Sequence, residues 1–333
     1  MPSDTAHVDE LVEVVEGTDG TAPAPRPRVT VLSMNTAIDR VLRIPRLVPG
    51  TVMRTDGALA FAGGKGLNVA RNLRLLHEDV QVVGFLGGAV RDFIQSWCNE
   101  LEIHTIWAPT AGQSRTCTIL IDNETGTQTV VNEPGPTVSP AEVDGLMAAL
   151  HGAVQPGDLL CISGSAPPGV PDDLYGRIVR EMNDREVRVL VDATAGPLRS
   201  ALEAIPWAVC PNEQELRVTM IENRDTLEPT RELGENIPVV IVTLGREGCL
   251  LASEGHVWRL HPPIIDEVNA VGSGDAFAAG FLAGTLEGEP PIDAVTLGVA
   301  CGASNAGRLE PGIGSRDEVE GLRGKIRIEE LSP

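Results

Sequence analysis

Asp275 follows three small residues, Gly272, Ser273 and Gly274, in the stretch NAVGSGDAFAAGFLAG that spans 269–284. Small residues opening a helix turn several backbone N–H groups toward one point, a ready hole for an anion. An acid beside such a hole has two physical readings. As a general base it would take the proton of a hydroxyl while the N–H groups stabilise a phosphoryl group in transit. As a structural residue it would complement the helix dipole, with the small residues serving close packing.

Other groups could share that chemistry. FAGGKGLNVARNL (61–73) sets Gly63, Gly64 and Gly66 around Lys65, with Asn68 opening a helix. Glycines admit a ligand close to the backbone, and the helix start with its lysine favours an anion or a hydroxyl-rich sugar. A tight strand-to-helix turn with a solvated lysine fits the pattern equally well. In PNEQEL (211–216), Asn212 and Glu215 lie three apart on one helical face. They suit either a hydrated Mg²⁺ near phosphates, a hard ion that takes oxygen ligands and keeps its waters, or a helix cap. VTLGREGCLL (242–251) is strand, glycine turn, strand, which either passes under a nucleotide or forms a plain hairpin. Arg115, between Ser114 and Thr116, is a phosphate ligand or an ordinary surface arginine.

Composition narrows the field. A formal charge of −21 over 333 residues disfavours nucleic acid or an anionic membrane as partner, since both need basic surface. A small phosphorylated substrate needs only a local basic pocket. Neither G-x-x-x-x-G-K-[ST] nor G-x-G-x-x-G occurs, so Walker and dinucleotide fingerprints are missing. No G-x-S-x-G elbow or metal-like histidine spacing supports hydrolase chemistry. Six scattered cysteines without a C-x-x-C pair read as reduced thiols in a cytoplasmic protein. No secretory signal is visible, and the small-residue run after Asp275 meets Glu287 too early to span a bilayer.

These residues must be held by something. Residues 1–27 are acidic and then Ala/Pro-rich, a mobile tail in which VDELVEVVE could form a short helix. After them, VTVLSMN, VQVVGFLG, LLCISGS, VRVLVDA, AVCPN and VVIVTLG are short apolar strand candidates. Helix candidates begin near Gly66, Pro140, Pro171 and Pro211. That alternation predicts one doubly wound α/β domain with a mainly parallel sheet covered on both faces. Two stretches, about 40–61 and about 103–133, lack the helical period and are expected to form a small β-sheet lid or dimer surface. Asn35, Asp39, Ser163–Gly164–Ser165, Asp192, Asn212 and Gly245 fall after strands, where open α/β sheets bind ligands.

The ordered set GGKGLN, SGSAPPG, DATAG, PNEQEL, VTLGREG and NAVGSGDAFAAG resembles the ribokinase-like (PfkB) sugar kinases over nearly all of 29–325. NTAIDR, AGGKGLNVARNL, SRTC and NEPGPTVS make it most similar to the branch of 1-phosphofructokinases and tagatose-6-phosphate kinases. The resemblance implies a ribokinase-like domain over 28–327 with a β lid that often pairs two copies. It implies ATP and Mg²⁺, with Asp275 as base and Gly272, Ser273 and Gly274 as anion hole. Asp39, Gly63, Gly64, Lys65 and Asn68 would contact the sugar phosphate, with Arg115 on its phosphate. Asn212 and Glu215 would lie near Mg²⁺ and the nucleotide phosphates, Glu215 through water, and Thr243, Gly245 and Gly248 would form the nucleotide turn.

The activity so implied is phosphorylation of a ketohexose phosphate, fructose 1-phosphate before tagatose 6-phosphate, or of another sugar or nucleoside within the same fold. Three positions depart from the branch. Thr36 replaces a usual proline, Ala270 a Pro, Ser or Thr, and Cys210 a lysine that lies close to the nucleotide phosphates in related kinases. Cys210 keeps open a reading of another class, a sugar-phosphate-binding sensor that has lost turnover. The intact Asp275 and its glycine loop argue against it.

Overall fold

Five successive buried side chains, VTVLS, make Val29–Ser33 a strand (β1) enclosed on both faces. Val29 and Val31 join one hydrophobic cluster and Leu32 the other, the period-two alternation of a central strand. The computed structural model describes residues 27–220 and 225–331; the expected tail helix lies outside them. Beside β1 lie β4 (Val80–Gly87) and β8 (Leu159–Ser163), both parallel to it. Parallel pairing continues outward through β5 (His104–Thr110) on one side and β9 (Arg188–Asp192), β10 (Ala208–Val209) and β11 (Val239–Thr243) on the other. Three antiparallel strands, β12 (Cys249–Ser253), β13 (His256–His261) and β14 (Arg327–Leu331), complete a ten-stranded sheet. β14 carries the sheet beyond residue 327, past the boundary expected from the sequence.

Helices cover both faces. On one side pack α1 (Lys65–Leu75), α2 (Arg91–Glu100), α8 (Ser273–Leu286), α9 (Pro291–Ala306) and α10 (Arg316–Arg323). On the other pack α3 (Pro140–Ala153), α4 (Leu174–Asp184), α5 (Ala195–Glu203), α6 (Glu213–Met220) and α7 (Leu227–Gly234). Four helix starts fall within three residues of the expected ones. No helix among the described residues is long and apolar enough to cross a membrane.

The lid differs in part from expectation. Its four strands run in the order β3 (Gly57–Gly63), β2 (Ala37–Ile44), β6 (Arg115–Asp122), β7 (Gln128–Asn132). The stretch expected as lid from about 103 begins instead with β5, which pairs in parallel with β4 in the main sheet. β5 is an edge strand with only Ala108 fully buried, so its sequence lacks the continuous apolar run of its neighbours. The chain crosses into the lid only at Arg115, and on the other side at Ala37.

The Ala/Gly run of α8 has a packing cause. A Cβ on Gly280 would lie 2.7 Å from Cys301 Sγ and 2.9 Å from Gly298 Cα on α9. The two backbones approach too closely for side chains between them, which fixes α8 and therefore the loop before it.

Candidate active site

The sheet's carboxyl ends, the lid and the start of α8 enclose a cavity of about 1080 Å³. That is at the upper end of small-molecule sites and large enough for two ligands side by side. Asp39, Gly64, Lys65, Asn68, Arg115, Asn212, Thr243, Gly245, Gly248, Gly272, Ser273, Gly274 and Asp275 all line it. Residues drawn from six separate loops and strands thus meet on one wall system. Gly63 and Glu215 do not reach the wall. Gly63 sits where any Cβ would collide with the Asp39 carboxyl, so its role is to make room for that side chain.

At the floor, Gly272 caps α8 with φ 82°, a left-handed conformation suited to glycine, and no side chain caps the helix. Ser273 N–H donates to Ala270 carbonyl at 3.1 Å, and the first helical bond is Ala276 to Gly272 at 2.9 Å. The N–H groups of Gly274 and Asp275 therefore have no partner within the helix. Asn305 Nδ2 braces the loop through Val271 carbonyl at 2.9 Å and Ser273 Oγ at 3.0 Å. A Cβ on Gly274 would meet nothing within 4 Å, so this wall is open to the cavity.

Asp275 itself is only 5 % exposed. Its Oδ2 accepts from Asn68 Nδ2 at 2.9 Å. Burial, aided by the Asp192 charge, pushes its carboxyl up to about 7 against the opposing pull of Lys65, Asn68 and Arg71. A carboxylate tuned near neutrality is poised to take and release a proton.

Lys65 lines the cavity and rests on carboxylates. Its ammonium is turned to Asp192 Oδ1 at 3.0 Å and Glu215 Oε1 at 3.1 Å. Burial works to lower its basicity, but Asp192, Glu215 and Asp275 outweigh that and raise it. Lys65 and Arg115 line one cavity, yet here the lysine is committed to carboxylates and does not converge with the arginine on an anion position. Asp192, in turn, accepts from Ser163 Oγ at 3.0 Å.

Asn212 and Glu215 form a reciprocal cap on α6: Glu215 N donates to Asn212 Oδ1 at 2.8 Å, and Asn212 N to Glu215 Oε2 at 2.9 Å. Both Glu215 oxygens thus already accept from protein donors. Among the described residues no cluster of His, Cys, Asp or Glu is arranged to hold a metal. The donor set fits a Mg²⁺ carried by nucleotide phosphates and water, which Glu215 would reach through water, and does not fit a protein cage.

On the lid side, Arg115 Nε donates to Asn35 carbonyl at 3.1 Å and Nη1 to Glu133 carbonyl at 3.2 Å. These bonds hold the guanidinium at the rim with Nη2 to spare. Asp39 faces Cys117 across the β2–β6 ladder. Burial raises the Asp39 carboxyl, while the Cys117 thiol, the Gly64 N–H and the Arg115 charge work against it. Cys117, Arg71 and the loop Pro262–Glu267 belong to the surroundings of the cavity but were not singled out from the sequence. The stretch 61–73 does contain Arg71 at i+3 from Asn68, the spacing of helix neighbours.

The model of the pfkB family of carbohydrate kinases matches residues 29–317. The chain belongs to the pfkB family of carbohydrate kinases. It is accordingly a phosphotransferase acting on a carbohydrate. The 1-phosphofructokinase of Bacillus subtilis is 28% identical over 308 residues, covering 91% of this chain and 100% of that protein. The 1-phosphofructokinase of Escherichia coli K12 is 29% identical over 307 residues, covering 91% and 98%. In fold, the phosphofructokinase-2 of Escherichia coli, solved with substrates and products, superposes with TM-score 0.83 at 22% identity over 89% of this chain and 98% of that one. Ribokinase of Thermotoga maritima gives 0.71 at 21%, over 89% and 99%. The ribokinase-like fold, with its main sheet, two helical layers and lid, is therefore that of this PfkB kinase.

The three departures from the branch are each absorbed locally. Thr36 is buried and donates its hydroxyl to Ser33 carbonyl at 3.2 Å. Ala270 lines the cavity and supplies the carbonyl that Ser273 N–H uses. Cys210 is buried in the core under the sheet end, where it presents no charge to the cavity.

Proposed function

We propose that this kinase transfers the γ-phosphoryl group of ATP to a primary hydroxyl of a ketohexose phosphate, fructose 1-phosphate giving fructose 1,6-bisphosphate, with tagatose 6-phosphate as second candidate. One observation carries the reading. Asp275, beside the open start of α8, shares a cavity with Arg115 and Asp39 on the lid side and with Asn212, Thr243 and Gly245 on the other. An acceptor hydroxyl held between those two sides would lie against the carboxylate.

In this reading Arg115 takes the phosphate the sugar already carries, and Asp39 and Asn68 orient its hydroxyls. The Asp275 carboxylate accepts the proton of the attacking hydroxyl as its oxygen forms the new bond to phosphorus and ADP leaves. The N–H groups of Gly272, Gly274 and Asp275 receive the charge gathering on the phosphoryl oxygens. Mg²⁺, when bound with the nucleotide, would neutralise charge on its phosphates. Catalysis is then positioning and electrostatics. Lys65 would have to leave one carboxylate to reach an incoming anion, which makes it the mobile cation of the site. Leu59 and Val130, exposed and in register on one face of the lid sheet, supply apolar surface through which two copies would pair, a proposal checked by solution mass.

The test is product analysis with ATP, Mg²⁺ and a panel of fructose 1-phosphate, tagatose 6-phosphate, fructose 6-phosphate and free sugars. Turnover confined to an unphosphorylated sugar overturns the substrate reading. Cys210, buried and uncharged, is the one observation favouring a sensor instead; binding of a sugar phosphate with no product under any condition would select it.

A further inference from the structure

Arg71, on α1, is buried at 8 % exposure and does not line the cavity. A guanidinium is costly to bury without a full set of acceptors. Its Nε has no hydrogen-bond partner, and its Cζ lies over the Trp97 ring, 5.9 Å from the ring centroid. The bond that it does make, Nη2 to Asn68 Oδ1 at 3.3 Å, points toward the site. From the other side of the same amide, Asn68 Nδ2 donates to Asp275 Oδ2 at 2.9 Å.

That sequence of bonds has a fixed sense. Arginine has donors only, so it accepts nothing from Asn68, and the amide must turn its oxygen toward Arg71. The amide nitrogen is then forced toward Asp275. With the amide reversed, its oxygen would face the carboxylate and its nitrogen the guanidinium, two repulsive contacts. We propose that Arg71 is a positioning residue for the base, acting through Asn68 to pin Oδ2 of Asp275 as an acceptor and leave Oδ1 to take the proton of the substrate. This rests on Asp275 being the base.

The charged groups facing Asp275 are Lys65 and Arg71 from α1 and Asp192 from the end of β9. Arg71 faces Asp275 and Asp39. Removing its charge takes away one of the two cations that favour the Asp275 carboxylate. The acidic limb of activity should therefore move to higher pH in its absence.

The experiment compares Arg71→Met and Arg71→Lys with the wild type, measuring kcat and KM for both substrates from pH 5.5 to 9. The substrate's own phosphate titrates identically in all three, so differences belong to the protein. Arg71→Met is expected to lower kcat by about tenfold or more, leave the KM for ATP within about twofold, and shift the acidic limb upward. In an Asn68→Ala background the same change should cost little further, since the relay is already cut. Arg71→Lys keeps a cation but withdraws the fork; its limb should stay in place while kcat falls several-fold. A folded Arg71→Met with an unmoved limb, or an undiminished loss in the Asn68→Ala background, overturns the proposal. If Arg71→Met does not fold, a wild-type kcat in Arg71→Lys overturns it. Turnover surviving in Asp275→Ala would instead overturn the base itself, so the two failures are distinct.

Discussion

Among the helices whose first turns face the cavity, α6 and α8 treat their orphan N–H groups in opposite ways. At α6, Asn212 and Glu215 close the helix start on itself, each side chain bonding the other's backbone. At α8, no side chain caps the start, and glycines at 272 and 274 keep the approach clear. A closed start is satisfied without a ligand and contributes to stability. An open one carries unsatisfied donors and partial positive charge, which an anion would complete. Acidic residues occupy both first turns, yet Glu215 is spent on cap and lysine while Asp275 keeps an oxygen unspent. Sequence spacing left each motif with a structural and a functional reading; the side-chain bonds separate them.

The largest effect that would break this contrast lies at Asp275. Asp275→Ala should lower turnover on the order of 10²–10⁴-fold with folding intact; near-normal steady-state rates would reduce α8 to a structural helix. Next comes Arg115→Met, which should reduce kcat/KM for the sugar phosphate by about 10–100-fold, the scale of a charge-assisted hydrogen bond. The KM for ATP should barely change, and an equal rise in both would place Arg115 elsewhere.

The third effect is on stability. Folded Asp275 holds its proton up to about 7 against an ordinary 3.8. The folded state therefore binds more protons between those values, and stability falls as pH rises from about 4 to about 7. Asp275→Asn should be more stable than wild type by about 1–4 kcal/mol at pH 8, with the advantage gone near pH 3.5. Urea melts at the two pH values check this, and a gain that does not depend on pH would mean the carboxyl is not strained by burial. Smallest is Asn212→Ala, expected to cost about 1 kcal/mol of stability as a lost cap. A raised KM for ATP with an unchanged melting temperature would show α6 to be a ligand site and erase the contrast.

Much of this architecture is visible in the sequence because buried parallel strands leave an unmistakable trace: VTVLS and VVIVT are short, mostly apolar and β-branched runs, buried at every position but Thr243. β5 escaped because it is an edge strand with only Ala108 fully buried, so HTIWAPT lacks the continuous apolar run that marks its neighbours. The site residues were legible where glycine spacing or a motif marks them, as at 63–68 and 272–275. The spacing around Lys65 marks a ligand site but not the partners its ammonium rests on, since nothing in a linear reading says that Asp192, 127 residues away, lies beside it. Arg71 was passed over for a similar reason. Arginine on a helix is ordinarily solvated, and only the packing against Trp97 shows that this one is not.

All six cysteines are free thiols shielded by the fold, but they are not shielded alike. Five are core residues, whereas Cys117 lies on the cavity wall against Asp39. The molecule thus carries its own reporter pair. A small thiol reagent should reach Cys117 from the cavity at a rate that a bound sugar phosphate slows, while the other five keep time with unfolding of the whole domain. One labelling experiment, read by mass, would follow occupancy and global opening in the same sample without adding a probe.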